Sequence, residues 1–189
     1  MTLVRSVYAQ QKPVEYVNPI IGTTNYGTTN PGALLPQGLM SVTPFNVMGS
    51  PDNRFDKDKR WWSTPYAHDN VYFTGFSHVN LSGVGCPEMG SLLLMPTHGE
   101  LEVDYRKYGS AYTTEVASPG YYSNVLTRYN IKTEASATLR TGISRFTFPA
   151  GQNHILLNLG EGLTNETGAI LRKVNEREIE GMKLLGTFC

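Results

Sequence analysis

Residues 118–153 read SPGYYSNVLTRYNIKTEASATLRTGISRFTFPAGQN. The runs at 122–129, 131–138 and 143–148 are rich in Val, Ile, Thr, Tyr and Phe, the side chains that fit a pleated, half-buried surface. Pro119-Gly120 and Pro149-Ala150-Gly151 interrupt them where a chain of short strands must turn. Helical periodicity is scarce, so the stretch predicts consecutive strands.

The same pattern extends outward. Further strands are expected at 14–17, 39–43, 71–76, 91–95, 101–105, 112–116 and 154–159, with breakers at NPG (30–32) and MPTHGE (95–100). Leu101, Val103 and Tyr105 alternate with Glu102 and Asp104, which predicts a strand with one face in a core and one in water. The fold class is all-β, an antiparallel sandwich of about ten strands. No internal repeat is visible.

The 189 residues suffice for one domain with a substantial core. Sixteen basic and sixteen acidic residues give no net charge, hence no footprint for a nucleic-acid backbone. The longest apolar runs, such as LLLM at 92–95, fall far short of the roughly 20 residues that span a bilayer. Two cysteines, Cys86 and Cys189, could form at most one bridge across a very long loop, and both are read as free thiols. Residues 1–13 are a tail or the remnant of an export signal: Val7-Tyr8-Ala9 resembles the small-residue end of a leader, behind a short apolar segment. Residues 14–189 are assigned to the sandwich, expected to be incomplete at its carboxy end.

Two segments escape the strand pattern, 21–38 and 46–70, and loops of this length on a compact domain usually serve a function. The second holds Trp61 and Trp62 beside Tyr66 and His68. Aromatic rings in a polar loop either pack back onto the sheet or form a platform for a ligand. The usual catalytic motifs are absent. Gly22 and Gly27 are followed by Thr28 and Thr29, where a phosphate loop needs Gly and Lys. Ser82 sits in NLSGV, which lacks the upstream glycine of a nucleophile elbow. Asp52, Asp56 and Asp58 lack the spacing of a calcium loop and read as a solvated face.

Five phrases in order carry more weight than any of these: YVNPIIGT (16–23), NPGALLPQGLMSVTP (30–44), GFSHVNLSGVGC (75–86), GSLLLMPTHGE (90–100) and EVASPGYYSNVL (115–126). Together they resemble the amino-terminal β-sandwich domain of glycoside hydrolase family 92, the calcium-dependent exo-acting α-mannosidases. The resemblance implies an exported enzyme of periplasm, cell surface or medium. It also implies a carboxy-terminal (α/α) barrel domain supplying the acid, the base and most ligands of Ca2+. The implied reaction is inverting hydrolysis of terminal, α-1,2-type mannose from a glycan. No catalytic or metal-binding residue is carried over to this chain.

The resemblance also places the tryptophan segment and the SHVNLSGVGC loop at the sugar cleft. Trp61, Trp62, His78, Ser82 and Cys86 are candidate substrate-binding residues, with Asn25 and Tyr26 beside them. Gln37 and Asn46 stand where many relatives have an aromatic residue and an acid. The chain alone is expected to be inactive. Two other readings stay open, a stand-alone carbohydrate-binding module and a purely structural domain with an apolar face awaiting a partner.

Overall fold

The computed structural model describes residues 11–59, 62–164 and 166–186. Its strands in chain order are β1 (Ala33–Leu34), β2 (Ser41–Phe45), β3 (Tyr72–Phe73), β4 (Gly75–Asn80), β5 (Met89–His98) and β6 (Ser110–Ser118). They continue with β7 (Tyr121–Leu126), β8 (Ile131–Ala137), β9 (Gly142–Thr147), β10 (Asn153–Asn158), β11 (Glu166–Asn175) and β12 (Glu178–Leu185). One five-stranded sheet runs β1-β2-β4-β5-β10 and the other β3-β6-β7-β8-β9, while β11 and β12 form a separate hairpin. Every pairing is antiparallel.

The stretch 118–153 accounts for the second sheet's order. Gly120, with φ of +76°, makes the turn between β6 and β7, and Asn130, at +51°, the one between β7 and β8. Leu126 then faces Ile131 and Tyr122 faces Ala135. Because alternate residues share a face, this register sends Tyr122, Leu126, Ile131 and Ala135 into the space between the sheets. They meet Val42, Phe76 and Met95 there. Phe76 and Tyr122 pack edge to face across the gap, centroids 5.9 Å apart. A second cluster, Phe45, Val47, Met48, Phe55, Trp62, Ala67, Leu93 and Leu163, lies where the 46–70 segment folds over the first sheet.

Two expected strands are absent, and the reasons are local. Residues 13–16 form a 3-10 turn, Pro13–Tyr16, because Pro13 presets the first helical φ and has no N–H to leave unpaired. Residues 101–105 have the right alternation but no partner strand, and Leu101 and Val103 are exposed. Asp104 instead organises a turn, its carboxylate accepting from Arg106 N and its carbonyl from Lys107 N and Tyr108 N. The β11–β12 hairpin lies beyond the expected strands, in a stretch whose many charges mask its pairing.

A buried ion pair locks the two strands of the hairpin to each other, and the same lysine bonds the hairpin to the body. Lys183 donates to Glu166 at 2.7 Å and to the Glu161 carbonyl at 3.2 Å, with both side chains of the ion pair buried. Burial pushes the Glu166 carboxyl up despite the ammonium beside it. Lys183→Met should therefore cost about 3–5 kcal/mol, since removing one partner strands a buried charge. Lys183→Met with Glu166→Leu should recover part of the loss in urea unfolding, and equal losses would contradict this.

Glu134 gives a pH signature. Bidentate bonds from Arg145 at 2.7 Å, then the Tyr121 phenol and Lys132, hold its carboxyl down from 4.5 to about 2. A depressed carboxyl contributes stability that is present above its unfolded value and lost as pH falls through the folded one. The difference in melting temperature between wild type and Glu134→Gln should hold above pH 4.5 and shrink as pH falls toward 2, as thermal scans would show.

Candidate functional site

Three loops meet at one end of the sandwich, 21–30, 62–71 and 81–88. They are cross-bonded through backbone rather than touching by accident. Gly83 N donates to Thr28 O at 2.8 Å and Asn30 Nδ2 to Leu81 O at 3.2 Å. His68 N donates to Thr23 O at 2.9 Å and Thr64 Oγ1 to Thr29 O at 3.3 Å. Each bond uses a polar group that would otherwise be stranded in irregular chain.

The first loop doubles back on itself. Gly27 N bonds to Thr24 O at 2.8 Å across Asn25 and Tyr26, which have φ of +50° and +67°. Positive φ at both central residues is the type I′ pattern, easy for Asn and costly for Tyr. A Cβ at Gly27 would overlap the Gly22 carbonyl, so the turn closes only with glycine there. Packing offsets the cost at Tyr26. Its ring lies edge-on to Phe55 at 5.1 Å and tilted against Trp62 at 5.5 Å, while Phe55 and Trp62 stack at 4.6 Å.

Trp62 is thus the floor of an aromatic cluster, 5% exposed, and Tyr26 its tip, 58% exposed. The Trp62 indole nitrogen is buried with no acceptor among the described residues. Asn25 and Ser82 are exposed on the adjoining loops. Trp61 and Cys189 lie outside the described residues.

His78 stands apart from this group. It occupies β4, buried, with Nδ1 2.9 Å from the Leu92 carbonyl, which requires Nδ1 to carry the proton. Burial lowers the imidazole from its ordinary value and keeps it neutral. It lines an apolar cavity of about 220 Å³ with Leu92, Leu94, Leu157 and Leu159, under the β11–β12 hairpin. Cys86 is half-buried and disulfide-bonded, which corrects the free-thiol reading. Loop length was the wrong objection to a bridge, because closure entropy grows only slowly with it.

Residues that the sequence left unassigned hold the site in place. Asn46 Nδ2 donates to Ala67 O at 2.9 Å while its Oδ1 accepts from Ala67 N at 2.9 Å. An acid at position 46 could not donate, so the amide here is a strut for the 62–71 loop. Among the described residues no three His, Cys, Asp or Glu side chains converge to hold a metal. No helix among the described residues is long and apolar enough to cross a membrane.

The stacked floor yields a test. Trp62→Ala should destabilise the domain by about 3–5 kcal/mol, as loss of a buried large aromatic does, whereas Tyr26→Ala should cost much less, since its ring is largely in solvent. Denaturant unfolding of both variants measures the contrast, and equal losses would contradict the floor-and-tip arrangement.

Comparison with known proteins gives consistent matches. The family described as glycosyl hydrolase family 92 N-terminal domain matches residues 16–189. Two structures of a GH92 α-mannosidase of Bacteroides thetaiotaomicron superpose on 92% of the chain, at TM-scores of 0.80 and 0.81 and identities of 30% and 31%. The first of them is a complex with mannoimidazole, and the chain covers 23% and 24% of their lengths. An uncharacterized secreted glycosidase of Arthroderma benhamiae is 30% identical over 158 residues, 78% of this chain and 19% of that protein. The chain thus spans about a quarter or less of the relatives it matches. It belongs to glycoside hydrolase family 92, whose N-terminal domain it carries.

Proposed function

We propose that this chain forms one wall of the sugar cleft in an exported α-mannosidase, and that it has no catalytic activity by itself. The observation that carries the reading is the cross-bonded loop cluster with Tyr26 raised over the Phe55–Trp62 stack. A pyranose offers apolar C–H faces and a rim of hydroxyls, so it needs an exposed ring with polar groups around it. Tyr26 supplies the ring, and Asn25 and Ser82 supply the polar groups. Trp62 seats that ring from below, while Cys86, His78 and Trp61 are the remaining candidates, His78 apart from the cluster in β4.

The substrate is a glycan ending in mannose, of α-1,2-type linkage. This rests on the mannosidase relatives and on the phrases quoted above. Hydrolysis is inverting, with a general acid and a water-activating base drawn from a carboxy-terminal domain. Calcium, held mainly by that domain, would template the sugar hydroxyls. What the present residues do is bind and orient: the ring fixes one face of the sugar and the loops exclude water from it. The disulfide at Cys86 favours an oxidising compartment, in keeping with export.

In the intact enzyme, Tyr26→Ala should lower kcat/KM for an aryl α-mannoside about tenfold, mostly through KM, because stacking acts on ground and transition states alike. Proton NMR of the first product should show β-mannose, and a calcium chelator should abolish turnover. Unchanged kinetics in Tyr26→Ala would remove the ring from the site. Tight binding of methyl α-mannoside by the chain alone would favour the stand-alone binding module.

A further inference from the structure

We propose that His68 is a further sugar-contacting residue, with Nε2 offered as a hydrogen-bond acceptor to a substrate hydroxyl and its ring orientation fixed by Glu115. This rests on the sugar-cleft reading above and extends it to a residue outside the aromatic cluster.

The arrangement starts in β6. A register shift between Thr113 and Val116, with Thr114 at φ of +52°, turns Glu115 inward under the 62–71 loop. Such bulges re-aim a side chain. The Glu115 carboxylate is largely buried and receives the Tyr66 phenol at 2.9 and 3.0 Å and the Tyr122 phenol at 2.6 Å. Burial pushes both phenols well above their ordinary value, so both keep their protons and donate.

This decides the imidazole tautomer. The Tyr66 proton is committed to Glu115, so the 3.0 Å contact between Tyr66 Oη and His68 Nδ1 must run the other way, Nδ1–H donating to the phenol oxygen. Glu115 Oε2, 3.6 Å from Nδ1, favours the same proton position. In the neutral ring Nε2 then carries a lone pair. It makes no hydrogen bond among the described residues, and the side chain is 45% exposed. The backbone of His68 is bonded to Thr23, next to the turn that carries Tyr26, which places the ring at the rim of the loop cluster.

A buried carboxylate and two buried phenols would be an elaborate support for a surface ring with no task. A sugar hydroxyl fits this acceptor, because it donates without needing a charge. A purely structural His68 would need only its Nδ1 donor.

Two substitutions separate the roles in the intact enzyme. His68→Asn keeps a donor near the Nδ1 position and removes the outer acceptor. His68→Gln places a carbonyl near the Nε2 position and gives up the inner bond. With an aryl α-mannoside, His68→Asn should raise KM about tenfold, as loss of one substrate hydrogen bond of about 1.4 kcal/mol requires, at an unchanged melting temperature. His68→Gln should recover part of that loss, to about threefold above wild type. Wild-type kinetics in His68→Asn would overturn the assignment, as would a loss in His68→Gln that exceeds the one in His68→Asn and follows a fall in melting temperature. Absence of turnover by the wild-type enzyme would overturn the glycan reading itself, and so the two failures are distinct.

Discussion

The site depends on a reciprocal pair of amides, Asn46 and Asn70. Asn70 Nδ2 donates to Asn46 O at 3.0 Å and Asn46 Nδ2 to Asn70 O at 3.3 Å, so the two ends of the 46–70 segment are held to each other. Asn70 also pairs with both backbone groups of Phe55, at 3.2 Å and 2.9 Å. A long irregular segment buries peptide groups that no strand will satisfy, and each unpaired one costs of order 1–3 kcal/mol. These two buried side chains satisfy several of them at once. The stacking of Phe55 on Trp62, and thus the seat of Tyr26, follows from that closure.

The remaining support comes from the opposite sheet. Tyr112 accepts from Asn46 Nδ2 and donates to Asn70 O, which joins the amide pair to β6. Tyr66 and Tyr122 converge on Glu115 from the loop and from β7. The polar network under the loops is therefore continuous from one sheet to the other. Networks of this kind stabilise one arrangement only when every member is satisfied, which is why the loop ends are fixed although they carry no regular structure.

How much of this was legible in the sequence varies with the range of the interaction. Strands β6 to β10 could be read because β-branched and aromatic residues alternate with turn residues over short spans. The 101–105 run shows where that reading fails: alternation reports that one face is apolar, not that a neighbouring strand exists to pair with it. The Pro13–Tyr16 turn was decided by one residue's φ, which outweighs the β-propensity of two valines. At the site, the aromatic segment and the loop phrases were visible as composition and resemblance. Nothing in EVASPGYYSNVL (115–126) signals the role of Glu115, since its inward turn comes from a register shift set by pairing with β7. His78 looked like a loop residue from its neighbours Asn80 and Ser82, but a strand continues through it and closes over its ring.

The turn at residues 24–27 has a consequence for how this loop can change over time. Gly27 is fixed by the Gly22 carbonyl, and Asn25 is held by its left-handed backbone. Thr23 and Thr28 are tied through their carbonyls to the other loops. Tyr26 is exposed yet held on two counts, by its own left-handed backbone and by its ring contacts to Phe55 and Trp62. A substitution at position 26 therefore changes the exposed surface and the packing of the aromatic cluster together, so the tip and its seat vary as one unit.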